Sequence, residues 1–120
     1  MTDTDAPTPV GRMEWERLVR RADLPLATKA IGYTLAQYSN KAGGSAHPGV
    51  ARLARVCRVD EKTVKRHLTA LREAGFLVRK QEDQWRRRVA LGIADDYQLT
   101  APVDYLERST YLDPDEQVQA

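Results

Sequence analysis

At 120 residues and 13.6 kDa, with 42% hydrophobic and 30% charged residues, the chain is long enough for one domain with short appendages and too short for two. A mean hydropathy of −0.58 and apolar runs of only a few residues exclude a membrane-spanning helix, which needs ~20 consecutive apolar residues. The formal charge of +2 conceals a division: residues 1–45 carry 6 Lys/Arg against 5 Asp/Glu, residues 46–90 carry 12 against 5, and residues 91–120 carry 1 against 7. A basic middle of this kind suits a polyanion, because phosphate neutralisation by Lys and Arg supplies most non-specific nucleic-acid affinity. The start, MTDTDAPTPVGR, has neither the basic beginning nor the apolar core of a secretory signal, and Cys57 is the single cysteine. A cytoplasmic protein is therefore expected.

Residues 1–11, with Pro7, Pro9 and Gly11 among Thr and Asp, hold too little apolar surface to offset the entropy of ordering, which predicts a flexible leader. Trp15, Leu18, Val19 and Ala22 then recur at i, i+3, i+4 and i+7. That spacing predicts a short amphipathic helix from about Met13, with Glu14, Arg17, Arg20 and Arg21 toward water. Asp23 and Pro25 suit the N-cap and first turn of a second helix, with Leu26, Ala30, Ile31, Leu35 and Tyr38 along its buried side and an end near Asn40. Residues 41–48 (KAGGSAHP) read as a loop, since Gly43 and Gly44 tolerate backbone angles that other residues avoid.

From Gly49 the pattern sharpens. Val50, Leu53, Ala54 and Cys57 line one side of a helix of about two turns. Arg58, Val59 and Asp60 break it from a longer helix over 60–74 that Asp60 caps, with Val64, Leu68 and Leu71 as its buried stripe and Gly75 as a left-handed C-terminal cap. Residues 76–80 (FLVRK) predict a strand, residues 81–85 a polar tip, and the alternation of Val89, Leu91 and Ile93 a returning strand. Tyr97 and Leu99 continue the alternation, and Pro102 precedes a helical pattern in Val103, Leu106 and Tyr111. The expected architecture is mainly α with a small β-hairpin. One domain is expected over residues 12–100, followed by an extension, 101–120, whose acidic end frays.

Two helices joined by a three-residue turn and followed by a hairpin describe a helix-turn-helix with a wing. The stretch LARVCRVDEKTVKRHLTAL (53–71), followed by EAGFL (73–77), resembles the winged helix-turn-helix family of prokaryotic, phage and plasmid regulators. The shared pattern is Leu-Ala, a turn, a capping residue, Thr-Val, then Leu, Leu and a Gly followed by apolar residues. The likeness spans residues 25–100, and 53–77 carry most of its specificity. Residues 86–93 (RRRVALGI) are similar over a shorter stretch to the wing of MarR-type regulators. Two positions depart from the family pattern. Asp60 stands where Ser usually caps the second helix and brings a carboxylate toward the place of a phosphate. Arg58 stands where the turn often has Gly, at a cost of about 1 kcal/mol if its φ is positive.

The resemblance implies double-stranded DNA as partner, with the 60–74 helix in the major groove and the wing, 76–93, on the backbone or in the minor groove. With Val64 facing the core at 100° per residue, Lys62, Arg66 and Thr69 point away from it and Thr63 and Lys65 flank them. The groove is ~12 Å wide and admits one helix. Arg66 is the leading candidate for direct readout, because its planar fork can bond guanine O6 and N7 together; Lys62 is the second. Glu61 suits a cytosine amine, and Thr63 and Lys65 suit phosphates. Arg86, Arg87 and Arg88, next to Trp85, suit phosphates or a minor groove. The plainer alternatives are a solvated helix face and a charged edge that deters strand pairing.

Other polar groups carry less. His47, Cys57 and His67 lack the spacing of a zinc site, and Cys57 and His67 read as packing residues, as do Trp15, Tyr33 and Tyr38. No Ser-His-Asp set or Gly-rich phosphate loop is present, and Asp95 with Asp96 reads as a turn. Neither a cofactor nor catalysis is expected. The leading function is a small transcriptional regulator. The alternatives are a DNA-binding accessory or initiator in phage or plasmid replication or excision, and a protein-interaction winged helix. A homodimer through the Trp15 helix or residues 103–112 is a further expectation, against the alternative that Trp15, Leu18 and Val19 pack on their own domain.

Overall fold

The computed structural model describes residues 6–79 and 96–103, within which the chain forms three short strands and four helices. In chain order these are β1 (Thr8–Pro9), α1 (Arg12–Arg21), α2 (Leu26–Ala36), α3 (Val50–Cys57), α4 (Glu61–Glu73), β2 (Leu77–Arg79) and β3 (Tyr97–Ala101). This is the mainly α winged helix-turn-helix architecture, with helices packed around one apolar core and a small antiparallel sheet at its edge. None of the described helices is long and apolar enough to cross a membrane.

Helix α1 buries the stripe its spacing predicts: Trp15, Leu18 and Val19 are sealed from solvent. That outcome removes this stripe as a dimer face, since its apolar residues are consumed by their own core. The indole Nε1 donates to the Phe76 carbonyl oxygen at 2.8 Å, tying α1 to the corner between α4 and β2. Opposite charges one turn apart, Arg12 and Glu16, pair at 3.3 Å on its outer side.

Helix α2 buries Ile31 and Leu35 as expected and differs from expectation in its cap and in part of its face. Pro25, not Asp23, occupies the N-cap position, and no side chain caps the helix. Its buried side runs through Thr28, Ile31, Gly32, Leu35 and Ala36, whereas Leu26 is 83% exposed and Ala30 faces solvent. The cause is close approach: a Cβ on Gly32 would lie 3.1 Å from Trp15 Cη2 and 3.2 Å from Leu71 Cδ1. The glycine lets α2 sit between α1 and α4, which rotates Leu26 and Ala30 outward. The helix also ends at Ala36, ahead of the expected Asn40, and runs into a tight turn.

The sheet has the order β1-β3-β2. On one side, β3 pairs with β2 in the antiparallel register Leu77↔Leu99, Val78↔Gln98, Arg79↔Tyr97. On the other, Thr8↔Ala101 and Pro9↔Thr100 pair, Val10 N–H donates to Leu99 O at 3.1 Å, and residues 43–46 then take over that edge. Leu99 N–H donates to Gly43 O at 2.8 Å, and Ala46 exchanges both bonds with Tyr97.

One expectation changes here. Residues 8–10 are not part of a flexible leader: their backbone groups hydrogen-bond to β3, and Pro9, which donates nothing, is tolerated on an edge strand. Tyr97–Ala101, whose alternation is visible in the sequence, pairs with β2 and closes the core with Tyr97, Leu99 and Ala101. Val89, Leu91 and Ile93, the Arg86–Arg88 triplet, and the helical pattern after Val103 lie outside the described residues.

Candidate nucleic-acid interface

The site is built on α3, the turn Arg58-Val59-Asp60, and α4. Helix α3 buries Leu53 and Ala54, with Val50 and Cys57 half-buried against the core. Its C-terminus closes on Arg58, which adopts the left-handed conformation (φ 61°, ψ 44°), and the Arg58 and Val59 N–H groups both donate to Ala54 O. A bulky residue thus holds the angle that glycine takes without penalty, and the three-residue turn keeps its length.

Asp60 has extended backbone angles and accepts from Thr63 N–H through Oδ1 at 2.7 Å, which satisfies one of the orphan donors of the first turn of α4. Hydrogen bonding from Thr63, with a smaller contribution from the Arg66 charge, holds the Asp60 carboxyl below the usual carboxylate range. A depressed folded-state value stabilises the fold at and above the ordinary carboxylate range, and the stabilisation is lost as pH falls through the lower value. Asp60→Ala is therefore expected to lower Tm at pH 7, and Asp60→Asn, which keeps an acceptor, to lower it less. The gap in Tm between native protein and Asp60→Ala should be constant above about pH 5 and narrow below about pH 4 in thermal melts. A gap unchanged to about pH 2.5 would show that the charge on the cap contributes nothing.

At its other end α4 stops on Gly75, with φ 91°. Phe76 N–H bonds Leu71 O at 2.9 Å and Gly75 N–H bonds Arg72 O at 3.1 Å, the paired arrangement that turns the chain sharply into β2. Val64, Leu68 and Leu71 face inward as expected, and His67 is anchored beside them by a 2.8 Å hydrogen bond between its Nδ1 and Thr28 Oγ1. This makes His67 a packing residue that joins α4 to α2.

The outer face of α4 then follows. Glu61, Lys62, Lys65, Arg66 and Thr69 are exposed, and Thr63 is half-buried beside its cap. Arg52 and Arg55 on α3, and Arg58 in the turn, add three exposed cations to the same helix-turn-helix segment. Among the described residues no salt bridge engages any of these cations. Sequence reasoning passed over Arg52 and Arg55, yet their signal was present: both lie about 150° around the helix from the midpoint of Leu53 and Ala54. An open groove of about 400 Å³ lies alongside, lined by Thr69, Arg72 and Glu73 of α4 and Leu77, Val78 and Arg79 of β2.

The other polar suspects take structural places. Tyr33 and Tyr38 pack half-buried on the core, and burial pushes the Tyr33 phenol up, helped by the nearby Glu16 charge. His47 is exposed with its Nδ1 3.9 Å from Asp96 Oδ1. Among the described residues no three His, Cys, Asp or Glu side chains gather as a metal site would require.

What this arrangement offers chemically is a convex, cationic helix presented by a second helix packed across it. No curated protein and no solved structure matches the chain. Residues 22–77 match the model of a family described as a helix-turn-helix domain, and the matched stretch runs from the end of α1 to the first residue of β2.

Proposed function

We propose that this chain, whose residues 22–77 match a helix-turn-helix domain, is a sequence-specific duplex-binding protein, acting as a small transcriptional regulator, with α4 in the major groove. The observation that carries this reading is the exposed row Lys62, Lys65, Arg66 and Thr69 on the helix that follows the turn. Arg66 and Lys62 read base edges, Arg66 through a bidentate pair to guanine, and Glu61 accepts from a cytosine amine. Thr63, Lys65 and Thr69 hold phosphates at the groove wall, and the α3 cations Arg52 and Arg55 bind the backbone that α3 crosses. Arg86, Arg87 and Arg88 serve the same backbone or the adjacent minor groove from the segment between β2 and β3.

The test begins with a selection from random duplexes at stated salt, which yields the preferred site. Arg66→Ala is then expected to weaken binding to that site by ~1–3 kcal/mol and to relax preference at one base pair. Lys65→Ala should weaken selected and random duplexes alike and remove about 0.9 from the slope of log K against log salt. Equal losses for Arg66→Ala on both duplexes would move Arg66 to the phosphate class, and failure to enrich any sequence would overturn the reading of a specific regulator.

A further inference from the structure

Pro102 packs so closely on Gly75 that a Cβ there would sit 3.1 Å from Pro102 Cα, which sets Pro102 and the exposed Val103 at the C-terminal end of α4. Residues 104–120 contain Asp104, Glu107, Asp113, Asp115 and Glu116 against a single base, Arg108. Facing them in charge is the helix-turn-helix surface, whose exposed Arg52, Arg55, Arg58, Lys62, Lys65 and Arg66 make no salt bridge among the described residues.

Reach is sufficient. Asp113 stands 10 residues beyond Val103, a maximum span of ~33 Å, while the 13 residues of α4 extend ~20 Å. The acidic cluster can therefore meet every cation along the outer face of α4. Each exposed ion pair is weak, worth less than about a factor of five. Tethering offsets that weakness, because a short linker holds an effective concentration of ~mM order at the face.

We propose that Asp113, Asp115 and Glu116 occupy the Lys62-Lys65-Arg66 face of α4 in cis when no duplex is bound, as a tethered competitor of the phosphate backbone. The competition rests on the reading of α4 as the DNA-contacting face; the contact itself does not. Binding duplex then requires displacing the tail, which lowers affinity for every duplex and restrains occupancy of random sequence at the salt concentrations where exposed charges are least screened.

The full chain carrying Asp113→Asn, Asp115→Asn and Glu116→Gln tests this with two readouts at about 0.05 M salt, the regime of weak screening. Without DNA, backbone amide chemical shifts of residues 61–69 are expected to differ between native protein and variant. With a random duplex, the variant should bind about 3- to 10-fold more tightly, and the gap should shrink by about 0.3 M salt. A control with Asp3→Asn, Asp5→Asn and Asp23→Asn raises net charge equally and should tighten binding less. Unchanged α4 shifts overturn the proposal whatever the affinity does, and so does an equal gain in the control. Shifts that move with equal affinities overturn the competition. Shifts that move while neither protein binds duplex support the contact and retire the DNA-binding reading instead.

Discussion

Trp15→Ala is expected to destabilise the domain by about 3–5 kcal/mol, a large part of the ~5–15 kcal/mol that holds a domain of this size folded. The indole is fully buried, fills the space opened by Gly32, and spends its only polar group on the Phe76 carbonyl. Its loss leaves a cavity between α1 and α2 and detaches both from the corner where α4 meets β2. Denaturant melts should show a lower midpoint with an unchanged m-value. Trp15→Phe separates ring volume from the hydrogen bond. Phe76 O also accepts Thr100 N–H at 3.0 Å, so it stays bonded when the indole N–H is gone. The expected cost of that bond is about 1 kcal/mol, at the low end for a buried acceptor. A Trp15→Phe variant as unstable as Trp15→Ala would show the bond, not the ring volume, to dominate. Folded Trp15→Phe should bind duplex as the native protein does, because the indole is sealed from the surface that α4 presents.

Gly43→Ala should be the most costly single methyl added to the sheet, at least ~2 kcal/mol. Gly43 has φ 85°, and a Cβ there would lie 2.2 Å from the Val10 carbonyl oxygen, a backbone atom with no rotamer to escape into. The penalty has two parts: a left-handed backbone forced on an L-residue, ~1–2 kcal/mol, and displacement of Val10 from its bond to Leu99 O. A double-mutant cycle separates them. In a chain that starts at Gly11 the clash disappears, so Gly43→Ala should cost only the backbone part. Equal costs in both backgrounds would show that Val10 yields freely. Either way α4 lies outside the damaged edge, so duplex affinity of the folded fraction should hold.

Glycines also mark the boundary between what was legible in residue order and what was not. Gly75 could be read as a helix stop because its role is local: it follows the last apolar residue of a 3.6-residue pattern, and its left-handed angle bonds Phe76 and Gly75 back to Leu71 and Arg72. Gly32 could not, because its reason is two side chains, from Trp15 and Leu71, that arrive from elsewhere in the chain. The same holds for the candidate site. Outward positions on α4 follow from an angle of 100° per residue once Val64 is known to face inward, while the exposed arginines of α3 enter only when the two helices are seen as one surface.

By itself, then, residue order determined what depends on neighbours within a turn or two: the inward stripes of α1, α3 and α4, the Asp60 cap, the Gly75 stop, and the three-residue turn that defines the helix-turn-helix. Tertiary structure decided the rest. It chose the face of α2, because the helix rotates to bring Gly32 rather than Ala30 to the crossing. It set the register of Tyr97–Ala101 against β2, because period-2 alternation leaves the partner and its register open and they are settled by which side chains fill the core. It made a strand of Thr8–Pro9, whose pairing uses backbone groups that every non-proline residue has and so leaves little trace in side-chain type. It also decided what covers the Trp15 stripe, since an apolar stripe states that it must be buried but not against what.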